Sequence, residues 1–408
     1  MKCKLTKVSI IRGFICVALT GIFFFSFGLA GRYPYNYANI ILWGVLGVLY
    51  FVWRRITKIK VFKFRLDIFF IASVVFGLCQ ILSYALSGFI SFSKTGLVCI
   101  ISSILFYELL SDGAIPKKAV LACACIGAIG YLLLFAFIYH SSILHPNFSS
   151  RIGDYFDNQN EVGQNSALCA ILLLGVGLSL KEWYLKIIAV FFSLLSFYFT
   201  LLTGSVSSFL VLSIATLVSL PFYFKKRKWV IAIAEAVVII LGITVIFTVP
   251  SFSYYSSRIT SILSSFGIGS GKGDSSAEGR FTAAIYGLRI FIEHPLFGAG
   301  YNAVNRSYAL VAHNNFVEVL ADFGIFAFLA HESTIVIPLV KLQKDGSPYK
   351  KVILPFLLFA LLFQFFLFTF DSKPTNLLIV LSFFLVFPDG CYTKEMKRAS
   401  IKTTKINI

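Results

Sequence analysis

The sequence predicts an all-α, polytopic membrane protein with about twelve transmembrane helices. Hydrophobic residues make up 58% of the 408 positions and charged residues only 13%, whereas ordinary soluble domains contain about 25% charged residues. Mean hydropathy is correspondingly high, at +0.85. Apolar runs close to the roughly 20 residues that a helix needs to cross a bilayer recur along the chain. These observations exclude an ordinary soluble domain.

The apolar runs divide the chain into three parts. Nine predicted spans fall within residues 1–248, a polar segment occupies 249–313, and three further spans and a terminal tail make up 314–408. The twelve predicted spans are residues 13–31, 36–53, 66–89, 95–111, 119–139, 165–180, 185–203, 205–223, 229–248, 314–340, 352–370 and 374–388. We therefore expect a membrane scaffold that holds one large extramembrane loop containing short helices.

Lysine and arginine are concentrated in every second connecting segment. Of the 36 Lys and Arg residues, 27 lie in the seven segments 1–12, 54–65, 112–118, 181–186, 224–228, 341–351 and 389–408. Cytoplasmic loops of membrane proteins accumulate these residues, so both termini are predicted to be cytoplasmic and the polar segment extracytoplasmic. The net charge of +18 is explained by this topology, and it does not indicate binding to nucleic acid.

The polar segment is the longest part of the chain without an apolar run of membrane length. Together with its flanking residues, from 248 to 324, it contains four arginines and two histidines: Arg258, Arg280, Arg289, Arg306, His294 and His313. Its first part, residues 250–278, is rich in serine and glycine and is expected to be flexible. We interpret the segment as an active-site loop held on the membrane scaffold.

A helix is predicted from Ala277 to the proline at position 295. Its apolar residues recur at intervals of four, three and four, which forms one stripe along a helix; they are Phe281, Ile285, Leu288 and Ile292. Pro295 and the following glycines are typical of a helix end.

Two arginines of this helix are expected to point in different directions. Arg280 is predicted to lie in the first turn, and Arg289 follows nine residues later, about half a turn round the helix. Only a bend, which Gly287 would permit, could direct both at one anion. We favour Arg280 as the anion ligand, because a helix start also offers free N–H groups.

His313 opens the tenth predicted span and is therefore expected at the outer membrane surface. A histidine there is often only a polar anchor, but close to an arginine-rich helix it could also serve as an acid or base near neutral pH. An earlier outer loop, residues 140–164, places Arg151 near the sixth span. Asn158 or Asn160 is expected to cap that span, and Arg151 is expected to meet an anionic group of a substrate.

Two segments of the chain resemble the signature of the bacterial O-antigen ligase and O-antigen polymerase superfamily. The segments are "EGRFTAAIYGLRIFIEHPLFGAGYNAV" and "HNNFVEVLADFGIFAF". They contain the Gly-Arg at positions 279–280, the proline-glycine turn at 294–300, the His-Asn at 313–314, and Gly324. The loop "RIGDYFDNQN" is similar to an earlier pattern of the family, matched by Arg151, Gly153 and Asn160.

Two positions depart from the family pattern. Many ligases have an arginine after the serine between spans seven and eight, where this chain has Val206, and a glycine often stands where this chain has Ala327. The departure at Val206 weighs against the ligases more than against the superfamily.

The resemblance implies a GT-C-like integral-membrane glycosyltransferase that uses a glycan on polyprenyl diphosphate. It implies His313 and Arg280 as catalytic residues. The residues expected to bind substrate are Arg151, Arg289, Asn160, Asn314 and Arg258. Arginine suits a diphosphate leaving group because its fork of donors is permanently charged. No cofactor is expected, and the scarcity of acidic residues in the outer loops argues against a metal.

Three functions compete. The first is a polymerase that joins lipid-linked repeat units into an O-antigen or capsular-type polysaccharide in the bacterial cytoplasmic membrane. The second is a ligase that transfers the glycan to lipid A core or another acceptor, and the third is a flippase or transporter for lipid-linked sugars. A transporter is expected to carry ionisable residues in several spans; Glu235 is the clearest such residue here, although the tenth span also contains Glu332. The expected partners are the lipid-linked donor, a glycan acceptor, the bilayer, a flippase and a chain-length regulator, and no nucleic acid.

Overall fold

The computed structural model describes residues 7–28, 35–58, 67–146, 152–153, 155, 158–223, 228–265, 275–344, 349–366 and 370–387. Arg151, the serine- and glycine-rich residues 266–274 and the tail 388–408 lie outside the described residues, as does the side chain of Glu235. The expectations for these positions therefore stay predictions.

The described chain is all-α. Before the polar segment the helices are α1 (Lys7–Gly28), α2 (Tyr35–Ile56), α3 (Ile68–Leu86), α4 (Lys94–Ser111), α5 (Lys117–Ile138), α6 (His140–Leu144), α7 (Gln159–Ser179), α8 (Trp183–Leu202), α9 (Val206–Tyr223) and α10 (Lys228–Thr248). The polar segment contains α11 (Ser253–Ser265), α12 (Ser275–Glu293) and α13 (Ala303–Tyr308). The last helices are α14 (Asn315–Lys344), α15 (Lys350–Phe363) and α16 (Lys373–Val386).

Eight of the described helices are long and apolar enough to cross a membrane, or nine if α10 and the helix after it form one broken span. This confirms a polytopic membrane protein. A helix lies at each of the twelve predicted spans, but α15 and α16 have only 14 residues each, which is about 21 Å of helix against about 30 Å of hydrocarbon. The number of twelve spans therefore stays a prediction.

Small residues allow the helices of the scaffold to approach closely. A Cβ at Gly127 of α5 would lie 2.7 Å from the Cβ of Phe23 in α1, and a Cβ at Gly175 of α7 would lie 2.7 Å from the backbone of Val352 in α15. Close backbone approach at small residues is the usual way in which helices associate in membranes. Glycines at these positions therefore allow close packing between α1 and α5 and between α7 and α15.

Segments that the charge pattern assigned to one side of the membrane meet at one end of the bundle. Arg12 donates from Nε to the carbonyl of Ala114 at 2.9 Å, and Arg54 forms a buried ion pair with Asp112 at 3.1 Å. Tyr50 donates a further hydrogen bond of 2.7 Å to the same carboxylate. The pairing satisfies a charge that would be costly to bury alone, and it agrees with the prediction that these three segments share one side.

Candidate active site

The turn at residues 294–300 is built onto a break in α14. Gly324 adopts φ 79° and ψ −174° inside this helix, a conformation that residues with a side chain rarely adopt. The N–H of Ile325 donates to the carbonyl of Pro295 at 2.9 Å. A Cβ at position 324 would lie 2.3 Å from the carbonyl oxygen of Leu296. The glycine of the family signature is thus required by the contact between the turn and α14.

Asp322 fixes the other side of the same turn. Its carboxylate accepts hydrogen bonds from the N–H of Asn302 at 2.7 Å and of Ala303 at 2.8 Å, at the first residues of α13. Its backbone carbonyl accepts from the N–H of Gly300 at 3.1 Å. An acidic side chain at a helix start satisfies N–H groups that have no partner within the helix. Asp322 therefore has a structural role in the polar segment.

Helix α12 packs against the start of α14 through small residues. A Cβ at Gly287 would lie 2.4 Å from Cγ1 of Val317 and 3.2 Å from Cγ2 of Val304. Ala283 is fully buried on the same face, and Ile290 is nearly so. Gly287 therefore allows close helix packing, and the structure gives it this role rather than that of a bend.

The predicted position of Arg280 within its helix is wrong. Helix α12 begins at Ser275 rather than near Ala277, so Arg280 lies in the second turn. The N–H groups without a partner inside a helix are those of its first four residues. Arg280 follows these residues, so its own N–H is not one of them. The expectation that the free N–H groups of a helix start would bind the same anion as Arg280 therefore does not apply.

Arg280 and His313 lie close enough for the charge of the guanidinium to act on the imidazole. The Nε of Arg280 and the Nδ1 of His313 are both shielded from solvent. Burial lowers the pKa of His313, and the positive charge of Arg280 lowers it further. Since the ordinary pKa of histidine is about 6.5, the imidazole is neutral at pH 7. A neutral imidazole can accept a proton from a hydroxyl group, which is what a general base requires.

The backbone around His313 is fixed by local hydrogen bonds. His313 has a φ of 49°, in the left-handed region that histidine and asparagine enter more readily than most residues. The preceding N–H, of Ala312, donates to Oε1 of the buried Glu318 at 3.0 Å. Asn314 accepts the N–H of Val317 at 3.2 Å and so caps the start of α14. Asn314 thus has a structural role, and its contact with a substrate stays a prediction.

Arg289 lies on a different side of α12 from Arg280. Its side chain is 68% exposed and its Nε is 3.3 Å from Oε1 of Glu293, one turn further along the helix. This agrees with the half-turn separation expected on a continuous helix. Arg289 is placed to meet solvent or a molecule approaching from outside.

Arg258 and Asn160 lie on two different helices, α11 and α7. Arg258 is on α11, which is anchored where the hydroxyl of the buried Tyr255 donates to the carbonyl of Leu201. Asn160 is in the first turn of α7, where Asn158 accepts its N–H at 2.9 Å. Asn158 is therefore the cap of that helix. The roles of Arg258 and Asn160 in binding substrate stay predictions.

A buried polar network that the sequence did not predict ties the start of α14 to the segment after α15. Asn315 donates from Nδ2 to Oε1 of Gln364 at 2.6 Å and accepts the N–H of Phe370 at 3.1 Å. Gln364 in turn donates to Oε2 of Glu332 at 3.0 Å. Polar residues inside apolar runs are the signal that could have found it. The network fixes Asn315, which follows His313 by two positions.

The acidic residues near the site surround a tyrosine. Burial, followed by the charges of Asp371, Asp322 and Glu318, raises the pKa of Tyr301 to about 12, so its phenol stays protonated at neutral pH. Among the described residues, no group of three or more His, Cys, Asp or Glu side chains could hold a metal ion. Metal independence itself stays a prediction.

Residues 191–331 match the sequence family described as O-antigen ligase. The match begins in α8 and ends in α14, and it includes α11 to α13 with Arg280 and His313. It confirms the resemblance to the O-antigen ligase and polymerase superfamily that the sequence indicated, and it supports a membrane glycosyltransferase activity of that type. We found no matching protein among those with curated functions.

Proposed function

Starting from this match, we propose that the chain polymerises polyprenyl-diphosphate-linked repeat units in the bacterial cytoplasmic membrane. The acceptor is the terminal sugar of one lipid-linked glycan and the donor is the glycan of another. The observation that carries the proposal is the proximity of Arg280 to a neutral His313 within the region that matches the family. A permanent cation and a neutral base are what transfer from a diphosphate to a hydroxyl group requires.

In the proposed reaction His313 takes the proton of the acceptor hydroxyl group. The acceptor oxygen forms a bond to the anomeric carbon of the donor, and the bond from that carbon to the diphosphate oxygen breaks. The electron pair leaves with the polyprenyl diphosphate, whose added negative charge Arg280 stabilises. Hydrogen bonds to charged groups contribute about 1.5 to 3 kcal/mol each, and general base catalysis typically contributes about 10² to 10⁴ in rate. No nucleotide and no metal enters this scheme.

The proposed function requires that the candidate site lies on the extracytoplasmic side of the membrane. The 27 Lys and Arg residues of the alternate segments support cytoplasmic termini and an extracytoplasmic position for α11 to α13. Reporter tags in residues 341–351 and at the C-terminus are expected to be cytoplasmic, and a tag at residue 265 is expected to be extracytoplasmic. A cytoplasmic signal from the tag at residue 265 would place the candidate site on the wrong side for this function.

The polymerase is tested with purified protein in liposomes and purified lipid-linked repeat units. We expect a ladder of products that grows by one repeat unit per step without nucleotide, and with equal yield in the presence of a chelator. The His313→Asn variant is the matched control and should give no ladder. If the wild type requires a nucleotide sugar or moves the lipid-linked sugar across the bilayer without joining units, the proposal is wrong.

A ligase is the second candidate, and the description of the matching family favours it. Val206 stands where many ligases have an arginine, which weighs against it. In the same assay a ligase would leave single repeat units unchanged and transfer a finished glycan only when a different acceptor, such as lipid A core, is added. One preparation therefore distinguishes the two enzymes.

A further inference from the structure

One side of α12 presents large apolar side chains away from the described protein. They are Phe281, Ile285, Leu288 and Ile292, with exposed fractions from 44% to 75%. We call these four residues the outer stripe. On helical geometry they lie within an arc of about 60°, whereas Ala283, Gly287 and Ile290 face α14 on the opposite side. The predicted apolar stripe therefore exists, but it is not the face that packs against α14.

Further exposed apolar side chains lie between the outer stripe and the ends of two helices that are long and apolar enough to cross a membrane. Just beyond α12, Leu296 is 53% exposed, and residues 294–299 share a groove with Leu86 and Ser87. Leu86 is the last residue of α3 and is 66% exposed. The rings of Phe297 and Phe326, the latter on α14, are 5.9 Å apart. Exposed apolar side chains are thus found at the end of α3, on α14 and in the turn directly after α12.

We propose that α12 is an interfacial helix whose outer stripe is inserted into the leaflet of the bilayer at which α3 ends. An apolar face of this kind, flanked by charged side chains, is typical of helices that lie in the membrane surface. Such helices are buried about 5 to 10 Å into the boundary between headgroups and acyl chains. Arg289 and Glu293 flank the stripe and remain at the polar edge.

Insertion of the outer stripe into the bilayer also determines the depth of Arg280. Arg280 immediately precedes Phe281, so a membrane-inserted outer stripe holds its guanidinium at the depth of the lipid headgroups. A diphosphate attached to a polyprenyl chain lies at that same depth. The inference concerns the resting position of α12 and does not depend on the proposed reaction.

The test places a photo-reactive benzophenone side chain at chosen positions of the full-length protein in phospholipid liposomes without added donor. The test positions are 281 and 292, and the control is position 293, which neighbours the stripe but carries an exposed glutamate. Phe281→benzoylphenylalanine replaces an exposed aromatic residue by another, which preserves folding. After illumination, phospholipid adducts are measured by mass spectrometry.

We expect several-fold more phospholipid adduct at positions 281 and 292 than at 293. Equally little adduct at all three positions would overturn the inference, because the stripe would then be in water. Equally abundant adduct would also overturn it, because the side with Glu293 would then be inserted as deeply as the stripe. Cross-linking to a second copy of the chain would overturn it in favour of a protein interface. Adducts that form only after lipid-linked donor is added would overturn it in favour of a substrate groove. None of these readouts requires turnover, so failure here is distinct from failure of the proposed function.

Discussion

Replacing His313 by asparagine is expected to lower product formation by about 10² to 10⁴-fold, the usual contribution of a general base, while folded protein is recovered in normal amount. The structure makes asparagine the appropriate substitution. His313 has a φ of 49°, a conformation that asparagine adopts at lower cost than alanine. Turnover per folded molecule is measured in liposomes with lipid-linked repeat units.

His313→Gly is the matched control for the backbone. Glycine adopts the same φ without strain but has no imidazole, so it should lose as much activity as the asparagine variant. If either variant retains near wild-type turnover, His313 is not the base and is only a polar residue in the turn before α14. Catalysis would then depend mainly on the stabilisation of the leaving diphosphate by Arg280.

The pH dependence gives an independent measure of the same role. The pKa of His313 is lowered by burial and then by the charge of Arg280, so the neutral base persists to lower pH than it would in water. Activity that needs neutral His313 should be constant above this pKa and fall as the pH decreases through it, with a midpoint below about 6.5. In Arg280→Gln the residual activity should have its midpoint at higher pH, because one cause of the lowered pKa is removed.

The sequence predicted the helices of the scaffold well, for a simple physical reason. Membrane-spanning helices can be predicted from apolar runs without knowledge of tertiary contacts. Inside a bilayer the backbone N–H and C=O groups must be hydrogen-bonded within each helix. The pattern of residues placed His313 after the helix that carries Arg280, but it did not predict that the charge of Arg280 acts on the imidazole. What the pattern could not give is the face of α12 that meets the protein. Large apolar residues predicted one stripe, but α14 packs on the side with Ala283 and Gly287, because small residues permit the closer approach.

The sequence also did not predict which residues stabilise the backbone of the site. Asp322 caps α13 and Asn315 bonds to Gln364 across 49 positions, and neither partner is near in sequence. Local signals did limit the cap of α7 to Asn158 or Asn160, of which the structure shows Asn158, because a cap is defined by its immediate neighbours. Polar residues inside apolar runs indicate that such residues need partners, but one sequence does not show which distant residues they meet. The start of α12 was missed by two residues for a related reason, since its serine-rich beginning resembles a loop.

Arg280→Lys is expected to lose about 10- to 100-fold in activity, although the positive charge is retained. A lysine is a point charge and cannot reproduce two parallel hydrogen bonds to a diphosphate, and the loss of one such bond costs about 1.5 to 3 kcal/mol. Because the charge beside His313 is kept, the pH at which activity falls should not move in this variant. A loss of activity without a shift in pH dependence therefore assigns Arg280 to the leaving group rather than to the titration of His313.

Arg289→Lys is the matched comparison on the same helix. Its side chain is 68% exposed and paired with Glu293 at 3.3 Å, and exposed pairs of this kind contribute little. We expect activity to stay within about fivefold of the wild type. Equal and complete loss in both variants would show that the two arginines act on one anion, which a continuous α12 does not allow. Helix α12 would then have to bend when substrate binds, and distance measurements between labels at its two ends would reveal that change.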